Sequence, residues 1–214
     1  MTERDLPSRI IRRAGRVGVN VDFALAGALG GYLDLLRRWN RKINLTGLEV
    51  ESPADEAIDR LVVEPLVAAK SLLASDQLII DVGSGGGSPA IPLKLAVPRL
   101  RVILVEAKVR KSAFLREAIR QLGLSDLDVE TRRFEELVSR ADLQEAADVI
   151  TLRAVRVDGG VMKGLQALLR PAGRVFWFGS GGTRGLTPTL SVQATEVLIP
   201  ALGSQMAILT RPAA

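Results

Sequence analysis

Gln77-Leu78-Ile79-Ile80-Asp81-Val82 runs directly into Gly83-Ser84-Gly85-Gly86-Gly87. A short apolar run that stops on glycines reads as a buried strand feeding a turn too tight for side chains. After the turn, Ala90 to Val97 fits a short helix, with Pro89 tolerated in its first turn. Arg101-Val102-Ile103-Leu104-Val105-Glu106 is then a second strand. Strand, glycine turn, helix and strand form the opening unit of a doubly wound α/β sheet, where ligands sit at the carboxyl ends of the strands.

The alternation continues downstream. Lys108 to Leu122 fits a longer helix with Phe114, Leu115, Ala118, Ile119 and Leu122 inward. Strands are predicted at Leu127–Thr131, Asp148–Leu152 and Arg174–Phe178, separated by helices at Phe134–Arg140 and Val161–Arg170. This order implies a mostly parallel sheet covered on both faces. Ser191–Ile199 and Gln205–Thr210 are strand-like runs with no helix between them, so they should close the sheet as an antiparallel hairpin.

Upstream, Leu25, Leu29, Leu33, Leu36 and Trp39 recur at helical spacing between Asp22 and about Arg41. Asp22 can cap that helix, and Gly30-Gly31 should weaken or kink it. A second helical stretch runs from about Ala54 to Leu73, and Pro65 argues for a kink or break within it. The basic segment Arg9 to Arg16 is poorly patterned and reads as a solvated terminus or an arm touching RNA. The predicted organisation is an N-terminal helical extension over residues 1–75 and a Rossmann-like domain over residues 76–214.

The turn also constrains its ligand. A dinucleotide fingerprint needs glycine at its sixth position. Gly83-Ser84-Gly85-Gly86-Gly87-Ser88 lacks it, and Asp81 precedes the turn, where its carboxylate would repel a pyrophosphate. S-adenosylmethionine (SAM) carries no phosphate, and its sulfonium and amino groups are cationic, so an acid there helps. Asp81, Gly83, Gly85, Gly87 and Ser88 are therefore candidate SAM-binding residues. Glu106 closes the second strand and can accept hydrogen bonds from ribose hydroxyls.

Composition excludes several chemistries. The chain of 214 residues has no cysteine and no histidine. Disulfides, thiolate nucleophiles and imidazole bases are absent, and no metal site is expected. The formal net charge of +5 permits a polyanionic partner such as RNA. No apolar run is long enough for a membrane span, and no apolar stretch follows the charged start, so a cytoplasmic location is expected. No heptad or long apolar edge argues for a dimer, and a monomer is the default.

Trp39-Asn40-Arg41-Lys42-Ile43-Asn44-Leu45-Thr46 looks like a W-N-x-x-x-N-L-T block, and Asp81 to Pro92 like D-V-G-S-G-x-G-x-P-G-I-P. Glu106 with Arg110-Lys111 and Phe114-Leu115, then Arg132 to Glu136 and Leu152-Arg153-Ala154, follow in the same order. With these motifs, over roughly Leu35 to Gly179, the chain resembles the GidB (also called RsmG) methyltransferases, which methylate guanine N7 in 16S ribosomal RNA. The resemblance implies SAM contacts at Gly83, Ser88, Arg153 and the Phe134-Glu135 pair near the adenine. It makes Arg41, Lys42, Arg110 and Lys111 candidates for phosphate contact with 16S RNA or the small ribosomal subunit. Asn44 becomes a candidate catalytic residue that orients the base. Departures fall at Leu61, Ala90, Leu152 and Phe178. The alternatives are a small-molecule SAM-dependent methyltransferase and a SAM-binding RNA or ribosome partner without catalysis.

Overall fold

The computed structural model describes residues 6–52, 54–179 and 190–212. Its seven strands are β1 (Leu78–Val82), β2 (Arg101–Val105), β3 (Leu127–Glu130), β4 (Ala147–Arg153), β5 (Leu169–Phe178), β6 (Ser191–Ile199) and β7 (Ser204–Thr210). They form one sheet in the order β3-β2-β1-β4-β5-β7-β6. The first five pair in parallel. β7 is antiparallel to both β5 and β6. The doubly wound sheet with a terminal antiparallel hairpin is thus present as predicted. The chain reverses its winding between β1 and β4, which opens a crevice at their carboxyl ends.

Period-two alternation divides the core. Ile79, Val102, Leu104, Val149 and Phe176 face one apolar cluster. Ile80, Val82, Ile103, Val105, Ile150, Leu152 and Val175 face the other. The second cluster is covered by α7 (Phe134–Val138) and α8 (Gly159–Leu168), through Phe134, Leu137, Met162 and Leu165. The first is covered by α1 (Leu6–Arg16), α2 (Phe23–Asn40), α3 (Asp55–Ile58), α4 (Glu64–Ala68), α5 (Ala90–Ala96) and α6 (Val109–Gln121). Residues of the N-terminal segment therefore share one core with the sheet.

Asp22 caps α2, its carboxylate accepting from the Leu25 N–H at 2.7 Å. The helix passes through Gly30 and Gly31 without a break, because α1 packs over Gly30 and Leu122 over Gly31. Trp39 meets the Phe114 ring edge-on, with centroids 5.9 Å apart, tying the end of α2 to α6.

Pro65 shapes the next stretch. Between α3 and α4 the chain opens a π-helical turn over Asp59–Val63, with the Glu64 N–H donating to the Asp59 carbonyl. Pro65 has no N–H to give the Leu61 carbonyl four residues back or the Arg60 carbonyl five residues back. Ser88 Oγ donates to Leu61 O at 2.9 Å, and the Arg153 guanidinium donates to Arg60 O. The missing helical bonds are thus replaced by side chains from the sheet domain.

The basic segment Arg9 to Arg16 departs from its predicted character. It is the body of α1, with Ile10 and Ala14 fully buried. Arg9 pairs with Asp55 at 2.7 Å, and Arg13 donates to both Asp55 and the buried Asp59. Neutralisation by acids far along the chain turns an apparently solvated arm into a packed helix. Arg13→Met strands the Asp59 carboxylate, and urea unfolding is expected to show a loss of about 3 kcal/mol, largely recovered by adding Asp59→Leu. A loss below about 0.5 kcal/mol would mean that the pair behaves as an exposed one.

Candidate active site

The crevice between β1 and β4 opens into a cleft of about 670 Å³, a size suited to a small cofactor. Its floor is the glycine turn, with Gly83, Ser84, Gly85, Gly86 and Ser88 in the lining. Its walls come from the segment after α2 (Asn44, Leu45, Thr46), from Arg60, Leu61 and Glu64, and from Arg153 and Phe178. Lys108 and Lys111 stand at the β2 side. Of the predicted site residues, Asn44, Gly83, Gly85, Ser88, Lys111 and Arg153 line this one cleft.

The turn requires its glycines for two distinct reasons. Gly83 has φ +73°, and a Cβ there would sit 2.7 Å from Val155 Cγ2. Gly87 has φ +85° and lies outside the cleft lining; a Cβ there would strike Ile91 at 2.5 Å. Gly83 thus leaves room for Val155, whereas Gly87 lets α5 pack beneath the turn. Tyr32, fully buried in α2, donates its hydroxyl to Gly86 O at 2.7 Å. Burial pushes the Tyr32 hydroxyl's pKa up, so it remains a donor.

Three acids surround the turn. Glu106 Oε2 accepts from the Gly85 N–H at 2.9 Å, and its Oε1 from the Lys108 N–H at 2.8 Å. Each oxygen keeps a further lone pair. Asp81 lies under the turn, 1% exposed and outside the lining. Its Oδ1 accepts from Thr151 Oγ1 at 2.6 Å, while Oδ2 has no partner. Glu64, an acid the sequence reading missed, is buried and reaches the cleft directly. Arg153 donates to Glu64 Oε2 at 2.7 Å and stacks over Phe178, with its guanidinium carbon 4.5 Å from the ring centroid. Burial pulls the Arg153 pKa down, and Glu64 opposes that shift.

The remaining predicted residues sit elsewhere. Phe134 and Glu135 line a separate depression with Val138, Gly160, Lys163 and Gly164. Arg41 is engaged by Glu51, whereas Lys42 and Arg110 are exposed with no ion pair among the described residues. The Asn44 side chain makes no hydrogen bond to another described residue; Asn40 shapes the loop, accepting from the Leu45 and Thr46 N–H groups at 2.8 and 3.0 Å. A second cleft at the β3 edge contains Arg101, Arg140, Asp128 and Glu130, whose charges pair with one another. None of the predicted site residues lines it.

The fold is a doubly wound α/β sheet closed by an antiparallel hairpin, with its cleft at the carboxyl ends of the strands. A protein from Klebsiella pneumoniae, provisionally described as an O-methyltransferase, matches with a TM-score of 0.60 at 15% identity, over 86% of this chain and 90% of that one. At that identity the likeness is one of fold. The family model GidB, described as rRNA small subunit methyltransferase G, matches residues 26–181. Ribosomal RNA small subunit methyltransferase G of Stenotrophomonas maltophilia (strain K279a) is 38% identical over 177 residues, 81% of this chain and 78% of the relative. The protein of that name from Syntrophotalea carbinolica is 31% identical over 170 residues, 79% of this chain and 76% of the relative. The chain belongs to the GidB family, and its cofactor is SAM.

The cleft fits that cofactor. Glu64 Oε1 and Arg153 Nε are buried without hydrogen-bond partners, as is Asp81 Oδ2 beneath the turn. Unsatisfied buried acceptors beside a glycine floor suit a cationic ligand with its own donors.

Asp81 provides a pH test. Burial is the main cause that raises its pKa from 3.8 to about 6. Between those values the folded chain holds a proton that the unfolded chain has lost. The associated stability is present below about pH 4 and lost as pH rises through about 6. Asp81→Asn stays neutral and should gain about 3 kcal/mol on the wild type between pH 4 and pH 7 in urea unfolding. A pH-independent difference between the two proteins contradicts this.

Proposed function

We propose that this protein transfers the SAM methyl group to guanine N7 of 16S ribosomal RNA, in the cytoplasm. The observation that carries the substrate reading is a pair of cations in the lining of the cofactor cleft, Lys108 and Lys111, without acidic partners among the described residues. Two further exposed cations lie beside them or beside the Asn44 segment in sequence. Lys42 follows α2, and Arg110 lies in the first turn of α6. Among the described residues their side chains have no acidic partner, so they are available to phosphate.

Guanine N7 carries a lone pair and needs no deprotonation. Its methylation would therefore need no group on the protein to remove a proton. A chain without histidine suffices for this reaction. SAM supplies the activated methyl group. The protein's part would be positioning: to hold the cofactor and present N7 to its methyl group. Gly83, Gly85 and Ser88 bound the cofactor space, Arg153 holds its methionine end, and Glu106 takes the ribose. Asp81 adds negative charge from beneath the turn. Asn44, with its amide free at the cleft wall, orients the base.

Incubation with methyl-labelled SAM and either 16S RNA or small ribosomal subunits should place label in N7-methylguanosine. Label only in small molecules, or SAM binding without transfer, overturns the reading. Lys42→Ala and Arg110→Ala should each lower the slope of log affinity for RNA against log salt by about 0.7–0.9, with SAM affinity unchanged by calorimetry. An unchanged slope removes these residues from the RNA surface.

A further inference from the structure

Glu64 is the lone charge within Leu61-Val62-Val63-Glu64-Pro65-Leu66-Val67-Ala68. It is 4% exposed, and it lines the cleft. One oxygen, Oε2, is held by Arg153. The other, Oε1, has no hydrogen bond, since Arg60 NH1 lies 3.8 Å away. Arg153 is in the complementary condition. Its two terminal nitrogens are used by Arg60 O and Glu64, and its Nε–H has no acceptor.

Both residues line the cleft, and the ion pair between them leaves one buried acceptor and one buried donor unsatisfied. Leaving either group unpaired in a buried place is costly. A ligand that relieves both must carry an anion and a cationic donor close together, as an α-amino acid does. Strand order supports the polarity. Arg153 ends β4 and Glu106 follows β2, with β1 between them. Two strand spacings, roughly 10 Å, separate the acid–base pair from the ribose acid. That span is suited to the methionine and nucleoside ends of one extended molecule. Asp81 lies outside the lining, which leaves Glu64 as the carboxylate that meets the cleft on the β4 side.

We infer that Glu64 is a cofactor-binding residue that accepts a hydrogen bond from the α-ammonium of SAM while Arg153 Nε donates to its α-carboxylate. The inference rests on the cleft being the SAM site and adds to it a recognition rule. The protein reads the zwitterionic end of the cofactor with one acid–base pair, and nucleosides that lack that end bind weakly.

Calorimetry with three thioethers tests this: S-adenosylhomocysteine, its deaminated analogue and methylthioadenosine. Wild type should bind S-adenosylhomocysteine at least about tenfold more tightly than the deaminated analogue. In Glu64→Gln the amide oxygen keeps Arg153, so an NH2 donor faces the ammonium in place of an acceptor. That variant should bind S-adenosylhomocysteine about tenfold more weakly, and the other two ligands within about twofold of wild type. Equal loss on the deaminated analogue would show that Glu64 acts only by holding Arg153 and would overturn the contact. Equal loss on methylthioadenosine would make its role structural. If the variant does not fold, the wild-type comparison decides alone, and no preference for the amino group overturns the inference. A wild type that binds S-adenosylhomocysteine nowhere overturns the cofactor reading beneath it.

Discussion

The Arg153 guanidinium joins the two parts of this molecule. It projects from the end of β4, fills the Arg60 carbonyl that Pro65 leaves without a helical partner, and holds Glu64. Ser88 does the same for the Leu61 carbonyl from the other side of the turn. A proline in the middle of a helix usually weakens it. Here the freed carbonyls become the points at which the N-terminal helices attach to the sheet's ligand edge. The cleft exists because that attachment holds Arg60, Leu61 and Glu64 opposite the glycine turn.

Charges of both signs gather around this junction. The floor and its surroundings are acidic, with Glu64 in the lining and Asp81 and Glu106 close behind. Basic side chains stand beside it, with Lys108 and Lys111 in the lining. A net positive chain thereby keeps acidic and basic groups apart within one cleft. The separation matters because buried charges interact strongly, whereas exposed ones are screened by salt.

The sheet was readable because its strands are short β-branched runs bounded by glycine and charge. The glycine turn pointed to the right edge, and the resemblance to the GidB family supplied the substrate class. What escaped was non-local. The four arginines of Arg9 to Arg16 gave that segment a solvated look, and its pairing with Asp55 and Asp59 spans more than forty residues. Pro65 signalled a break, but which groups would fill the freed carbonyls depended on the fold. Glu64 carried a local signal, a single acid inside an apolar run, yet its partner lies 89 residues away. Asp81 was visible as an acid at the turn, while its place beneath the floor depended on Thr151 from a neighbouring strand.

The central claim is that the cleft between Glu64, Arg153 and the glycine turn is where the cofactor sits. A crystal structure with S-adenosylhomocysteine tests it most directly. The account requires ligand density over Gly83 to Ser88, with the nucleoside toward Glu106 and the amino acid end toward Arg153. Density in the β3-edge cleft, or with the two ends reversed across β1, would contradict it.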